Sequence, residues 1–209
     1  GVKLAQAGCE VSVVARGATL QALQKDGLVL AHGDTRTSVP VAASEDPAEL
    51  GVQDLIVVAV KAPALAAVAE RIAPLIGPET MVMTAMNGVP WWFLSGGFGG
   101  DYSGKRLAAV DPHGAIDAAI PARHVIGAVV HASCSLDGPG KVRLHFGNGL
   151  IIGEPSGQPT PRVQALHALL QKAGFDAKLS AQIQKDVWYK LWGNMTVNPI
   201  SALTGCTTD

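Results

Sequence analysis

Two apolar runs of strand length constrain the fold of this chain more than any other feature. Residues 54–60 are DLIVVAV and residues 80–86 are TMVMTAM, with a helical pattern over about 62–75 between them. A strand is apolar at successive positions when both its faces are covered, because neighbouring side chains point to opposite sides of a sheet. Such strands alternating with helices predict an α/β fold with a doubly wound, Rossmann-like sheet.

The remaining patterns extend this alternation along the chain. A helix is predicted to end at Gly8, where glycine suits a left-handed cap, and the β-branched residues of 9–16 predict a strand. Further helices are predicted at 18–26, 162–173 and 181–198, and further strands at 28–32, 36–43, 106–110, 124–133, 141–145, 149–153 and 176–179. We place a domain boundary near residue 180, between a Rossmann-like domain (1–179) and the start of an all-helical domain (180–209).

The net charge and the cysteines argue against several classes of function. The 209 residues carry a formal net charge of −1, whereas nucleic acids and membrane surfaces attract proteins with a basic excess, so we expect neither as a partner. Three widely spaced cysteines do not suggest a disulfide framework, and with the six histidines they show no metal-ligand spacing. We therefore expect a metal-free protein of the reducing cytoplasm.

Three polar residues follow predicted strands, at the edge where open α/β sheets bind their ligands. Arg16 ends the strand over 9–16, where an acidic residue would favour NAD and a guanidinium suits the 2′-phosphate of NADP. Lys61 and Asn87 follow the two apolar runs. Each also has a purely structural explanation, as a surface arginine, a helix-start lysine and an Asn-Gly turn. Polar groups at the ends of adjacent strands nevertheless favour a shared site.

A second polar group lies on the last predicted helix. Lys190, Asn194 and Asn198 recur every four residues and therefore share one stripe. The opposite face is bulky, which predicts a well-packed helix, and carries Trp188, Leu191, Trp192 and Met195. Gly193 inside the helix suggests that another group approaches its backbone closely. Pro199 predicts a kink or a change of course.

Together these residues make the chain resemble the ketopantoate reductase (2-dehydropantoate 2-reductase) family. The matching elements occur in the family's order and are Leu4-Ala5-x-Ala7-Gly8-x-x-Val11 with Arg16, Val60-Lys61-Ala62, Asn87-Gly88-Val89, Ile152-Gly153-Glu154-Pro155 and Trp188-x-Lys190-Leu191-x-x-Asn194-x-x-x-Asn198-Pro199. The last element is the most specific. The resemblance implies a Rossmann domain followed by an all-helical domain, with the site in the cleft between them.

The resemblance also implies an activity, NADPH-dependent reduction of 2-dehydropantoate or a related 2-oxo acid, in the pantothenate pathway that leads to coenzyme A. It assigns Lys190 as the general acid, Asn194, Asn198 and Asn87 as substrate-binding residues, and Arg16, Lys61 and Asn87 as NADPH-binding residues. Three alternatives to a ketopantoate reductase stay open. They are another two-domain dehydrogenase acting on a hydroxyacid or an opine, a non-catalytic NADP-binding sensor, and a purely structural module.

The ends of the chain lead to two further expectations. We expect a fragment that lacks the first strand with its glycine-rich loop, and most of the helical domain, and we expect such a fragment to be a poor catalyst. An apolar face exposed on the last helix would favour association, for which a homodimer is one arrangement.

Overall fold

A mixed β-sheet flanked by helices on both faces forms the centre of the molecule. The structure is a computed structural model, and it describes residues 1–207. The strands are β1 (Ser12–Val14), β2 (Leu28–His32), β3 (Thr35–Val39), β4 (Ala42–Ser44), β5 (Leu55–Val58), β6 (Met81–Thr84), β7 (Val125–Gly138), β8 (Lys141–Gly153) and β9 (Asp176–Leu179). The helices are α1 (Val2–Gln6), α2 (Gly17–Asp26), α3 (Leu65–Ala69), α4 (Ala115–Ala119), α5 (Pro161–Lys172) and α6 (Ile183–Thr204).

The strands form two sheets. Seven strands lie in one sheet with the order β3-β2-β8-β7-β6-β5, in which β9 also pairs with β8, while β1 and β4 form a separate parallel pair. Strands β5, β6 and β7 are mutually parallel, whereas β7 and β8 form a long antiparallel hairpin. The sheet is therefore mixed rather than wholly parallel.

Alternate residues of the parallel strands belong to two different apolar clusters. Val82 and Val125 pack in a cluster with residues of α3 and α4, while the adjacent Met83 and Ile126 pack in a second cluster with residues of α5. All four side chains are buried. Burial on both faces explains the uninterrupted apolar runs in the sequence, and it confirms the predicted Rossmann-like α/β fold.

Several predicted boundaries are wrong for local reasons. The predicted helix over 62–75 is divided into short 3-10 helices (Ala62–Ala64 and Ala73–Leu75) around α3, because residues 63 and 74 are prolines, which favour the first turn of a helix and are costly in its interior. Pro40 similarly separates β3 from β4 where one strand was predicted. The predicted strand over 106–110 is a turn, in which the Val110 N–H donates to the Leu107 carbonyl at 2.9 Å.

Helix α6 differs most from its prediction. It continues through Pro199 to Thr204 instead of ending at 198. Its first turns pack against the sheet, where Ile183 and Val187 are buried. Farther along the helix, none of the described elements covers its bulky side chains. The prediction of a well-packed helix is consequently wrong for three bulky side chains, Trp188, Trp192 and Met195, which are 54%, 63% and 59% exposed.

The domain boundary near residue 180 stays a prediction, and so does the oligomeric state. Residues 208 and 209 of the predicted second segment lie outside the described residues. None of the helices described for residues 1–207 combines the length and hydropathy needed to cross a bilayer.

Candidate active-site cleft

A cleft opens where the parallel strands β5 and β6 end. It encloses about 350 Å³ and is lined by Ala59, Val60, Lys61, Ala62, Ala85, Met86, Asn87, Val130, Ala132 and Lys190. Adjacent parallel strands end at the same edge of a sheet, so the segments that follow β5 and β6 lie side by side. The third wall comes from β7, and α6 contributes one side chain.

Lys61 and Asn87 reach this cleft from the strand ends, as the sequence predicts. The sheet ladder extends past β6, because the Ala85 N–H donates to the Val58 carbonyl at 2.9 Å. Lys61 caps the 3-10 helix that follows β5, and both Lys61 and Asn87 are exposed to solvent. The structure therefore brings together two polar groups that are 26 positions apart in the sequence.

Lys190 enters the same cleft from α6. Its side chain is half-buried, and Nζ donates a hydrogen bond to the backbone carbonyl of Val130 on β7. Burial lowers the pKa of the Lys190 ammonium from its ordinary value of 10.5, because desolvation disfavours the charged form. Lys61 is the other charged residue among those that line this cleft. A cationic donor with a lowered pKa beside exposed amide and ammonium groups suits an anionic or carbonyl-bearing ligand.

The two asparagines of the predicted stripe lie farther out. Asn194 is half-buried and Asn198 is exposed, and neither lines the cleft as the described residues form it. They follow Lys190 by about 6 and 12 Å along the helix axis. Gly193 has no described atom within 4 Å of the position a Cβ would take, so the predicted close approach to its backbone is wrong for residues 1–207.

Arg16 is not among the residues that line this cleft. It follows β1, caps the start of α2 and is exposed. None of the salt bridges found among residues 1–207 involves it. The structure thus leaves its guanidinium accessible for an anion.

A larger cleft of about 470 Å³ lies elsewhere, beside α2 and the end of β4. Its walls include three acidic side chains, Glu45, Asp46 and Glu49, and a single cation, Arg71. Such a charge balance is unfavourable for a phosphate or a carboxylate. Despite its size, it is a poorer candidate than the cleft that holds Lys190.

The sequence does not indicate the hydrogen-bond partner of Lys190. Val130 is an apolar strand residue, and its contribution to the site is a backbone carbonyl, which every residue possesses. Within residues 1–207, no three histidine, cysteine, aspartate or glutamate side chains are grouped so that they could hold one metal ion.

Comparison with known proteins shows similarity to one enzyme family. Residues 1–91 match the family described as ketopantoate reductase PanE/ApbA. A 2-dehydropantoate 2-reductase from Mesorhizobium japonicum is 47% identical over 206 residues, covering 98% of this chain and 63% of that protein. A solved structure from Ralstonia solanacearum MolK2, provisionally assigned as a ketopantoate reductase, is 55% identical with a TM-score of 0.94, covering 99% of this chain and 64% of that one.

A more distant structure agrees. The PanE/ApbA family ketopantoate reductase from Ralstonia eutropha JMP134 is 28% identical with a TM-score of 0.75, covering 97% of this chain and 59% of that one. The chain thus spans between 59% and 64% of the length of these relatives. Over nearly its whole length the chain is similar to ketopantoate reductases, and its residues 1–91 match that family.

Proposed function

We propose that this chain supplies the NADPH-binding and proton-donating part of an enzyme that reduces 2-dehydropantoate, or a closely related 2-oxo acid, to the 2-hydroxy acid. The observation that carries the proposal is the convergence of Lys190, Lys61 and Asn87 on one cleft at the ends of parallel strands. Such strand ends are where open α/β sheets hold their ligands. The reaction would belong to pantothenate biosynthesis in the cytoplasm, and the three free cysteines suit that reducing compartment.

The residues of the cleft, together with Arg16, fit NADPH by their chemistry. Small apolar residues, Ala59, Ala62 and Ala85, leave room for a flat ring against backbone, while Asn87 offers an amide that can both donate and accept hydrogen bonds. Lys61 adds a positive charge, and the exposed Arg16 presents a planar fork of donors suited to the 2′-phosphate. When bound, NADPH supplies the hydride.

Lys190 would donate the proton. Its ammonium sits at the wall of the cleft, where it can stabilise negative charge developing on the substrate's carbonyl oxygen and then protonate that oxygen. Partial burial strengthens this interaction because there is less water to screen it. The lowered pKa of Lys190 also makes the proton easier to release than that of an exposed lysine.

Asn194 and Asn198 would bind the rest of the substrate. They continue the stripe that begins at Lys190, one and two helical turns farther along α6. An amide side chain can donate to a carboxylate and accept from a hydroxyl, and 2-dehydropantoate carries a carboxylate on one side of its ketone and a hydroxyl farther along on the other. Their role depends on a substrate that extends from Lys190 along the helix.

The test is the effect of Lys190 variants on turnover in the whole enzyme. We expect Lys190→Ala to lower kcat for NADPH-dependent reduction of 2-dehydropantoate by at least ~10²-fold, the usual contribution of a proton donor. Lys185→Ala is the matched control, since it removes an exposed lysine of the same helix, and we expect it to leave kcat near the wild-type value. Consumption of NADPH, followed by its absorbance, is the assay.

Two results would count against the proposal. Near-normal turnover in a folded Lys190→Ala variant would remove the lysine from the chemistry. NADPH binding by the wild type without turnover of any 2-oxo acid would favour the non-catalytic sensor.

A further inference from the structure

The hairpin of β7 and β8 is interrupted beside the cleft. His131 pairs with Gly149 and Ser133 pairs with Phe146, so that two residues of β8, Gly147 and Asn148, stand opposite Ala132 alone. This arrangement is a β-bulge, and Gly147 takes a left-handed φ of +80° that glycine adopts without strain. Bulges locally bend and twist a strand, and so redirect the groups beside them.

The bulge lies next to the carbonyl that holds Lys190. Val130 and Ala132 both line the cleft, and the Val130 carbonyl accepts the hydrogen bond from Lys190 Nζ. Gly147 packs directly against the opposite strand at this point. A Cβ on Gly147 would overlap the carbonyl oxygen of His131 and lie 3.0 Å from the Ala132 Cα. Any side chain at position 147 therefore forces a shift of the backbone where the bulge meets the cleft-lining strand.

The second bulge residue is held from outside. The Asn148 side chain accepts a hydrogen bond from Lys3 Nζ at 2.5 Å and donates one to the Gly174 carbonyl at 2.5 Å. These contacts join the bulge to α1 and to the end of α5, which are 145 and 26 positions away in the sequence. Three separate parts of the chain thus fix the backbone on which Lys190 rests.

We propose that the Gly147–Asn148 bulge is a positioning element that sets where the Lys190 ammonium sits in the cleft. It acts through the Val130 carbonyl and touches no reacting atom, so Gly147 and Asn148 are positioning residues. The inference deepens the proposed function and rests on the role given there to Lys190. It adds that the correct placement of this lysine depends on a backbone irregularity in β7 and β8.

The test measures the titration of Lys190 directly and turnover separately. Lysines of the whole enzyme are labelled as ¹³C-dimethylamines, and the Lys190 resonance is assigned by its loss in Lys190→Arg. In wild type we expect this group to titrate below an exposed lysine. In Gly147→Ala, displacement of the His131 carbonyl should shift the adjoining Val130 carbonyl and release the Lys190 side chain to solvent, so that the pKa of Lys190 rises towards the ordinary value. We expect kcat to fall by about 10- to 100-fold, with an unchanged KM for NADPH.

Gly138→Ala is the matched control. Gly138 also has a positive φ (+146°) beside an irregularity of the same hairpin, but a Cβ there meets nothing within 4 Å. We expect no change in the Lys190 titration. If Gly147→Ala does not fold, Asn148→Ala decides, because it removes both outer contacts while adding no clash, and a smaller shift in the same direction is expected.

The outcomes separate the two proposals. An unchanged Lys190 titration in folded Gly147→Ala or Asn148→Ala, or an equal shift in Gly138→Ala, would overturn the positioning role. A shift specific to the bulge variants in a protein that reduces no 2-oxo acid would support the positioning role while refuting the proposed function, because the titration needs no substrate.

Discussion

A methyl group added to Gly127 should destabilise the fold at the point where α6 begins. Gly127 lies on β7 and pairs with Gly153 of β8, so this part of the sheet has no side chains on either strand. Trp92 and Ile183 occupy the space, and they are 1% and 0% exposed. A Cβ at position 127 would lie 2.5 Å from the Trp92 ring and 2.8 Å from Ile183 Cγ1.

The expected magnitude follows from these distances. Carbon atoms in contact prefer separations of about 3.5–4 Å, so the indole and the isoleucine must each move by about 1 Å in a close-packed interior. Overpacking of this kind costs about 1–3 kcal/mol. Replacing glycine also reduces the entropy of the unfolded chain, which stabilises by up to about 1 kcal/mol. We therefore expect Gly127→Ala to lower the free energy of unfolding by roughly 1–2 kcal/mol.

Urea unfolding followed by tryptophan fluorescence would measure this change, and Gly193→Ala is the control. Gly193 lies inside α6, and a Cβ there meets no described atom within 4 Å. The same chemical change should therefore stabilise the helix by up to about 1 kcal/mol. Equal effects of the two substitutions, or a stabilising Gly127→Ala, would refute the packing argument.

Two further predictions concern the cofactor and the proton. Arg16→Ala should weaken NADPH binding by about 10- to 100-fold, the loss of charge-assisted hydrogen bonds, and should leave NADH binding nearly unchanged. Fluorescence titration with both nucleotides measures this, and equal losses would argue against a 2′-phosphate contact. Turnover should be high at pH values below the pKa of Lys190 and fall as the pH rises through it, because the donor must be protonated. Burial places that fall below pH 10.5. Lys190→Arg cannot donate the proton and should turn over slowly, and its residual turnover should lack this fall because position 190 no longer titrates. A pH–rate profile that is the same for both proteins would contradict the assignment.

The sequence predicts the core of the fold well, because burial on both faces of a parallel strand appears directly as an apolar run. It predicts the edges of elements poorly. Residues 106–110 contain enough apolar residues for a strand, yet Leu107 and Val110 contribute to the first cluster from a turn. Periodicity records which side chains are buried, but short apolar segments can be buried in more than one backbone conformation.

The site is predictable in its components and less so in its arrangement. The strand-end rule places Lys61 and Asn87 at one edge of the sheet, and the structure shows them in one cleft. Helical periodicity puts Lys190 on a stripe, but it cannot say which surface that stripe faces. The same pattern led to the wrong prediction for the bulky face, since Trp188 and Trp192 are exposed. Which face of α6 meets the sheet depends on contacts made by its first turn.

Several of those contacts are with backbone. Gln184 is fully buried, and its amide donates to the carbonyls of Pro155 at 2.7 Å and of Ser95 at 3.4 Å. Ile183 rests on the glycine pair of β7 and β8, and six residues after Gln184 the lysine meets another carbonyl, that of Val130. Carbonyl positions are set by strand register and by bulges, which involve residues from distant parts of the chain. A change at such a position can therefore move Lys190 without touching it, so substitutions that alter stability at the start of α6 should also alter catalysis.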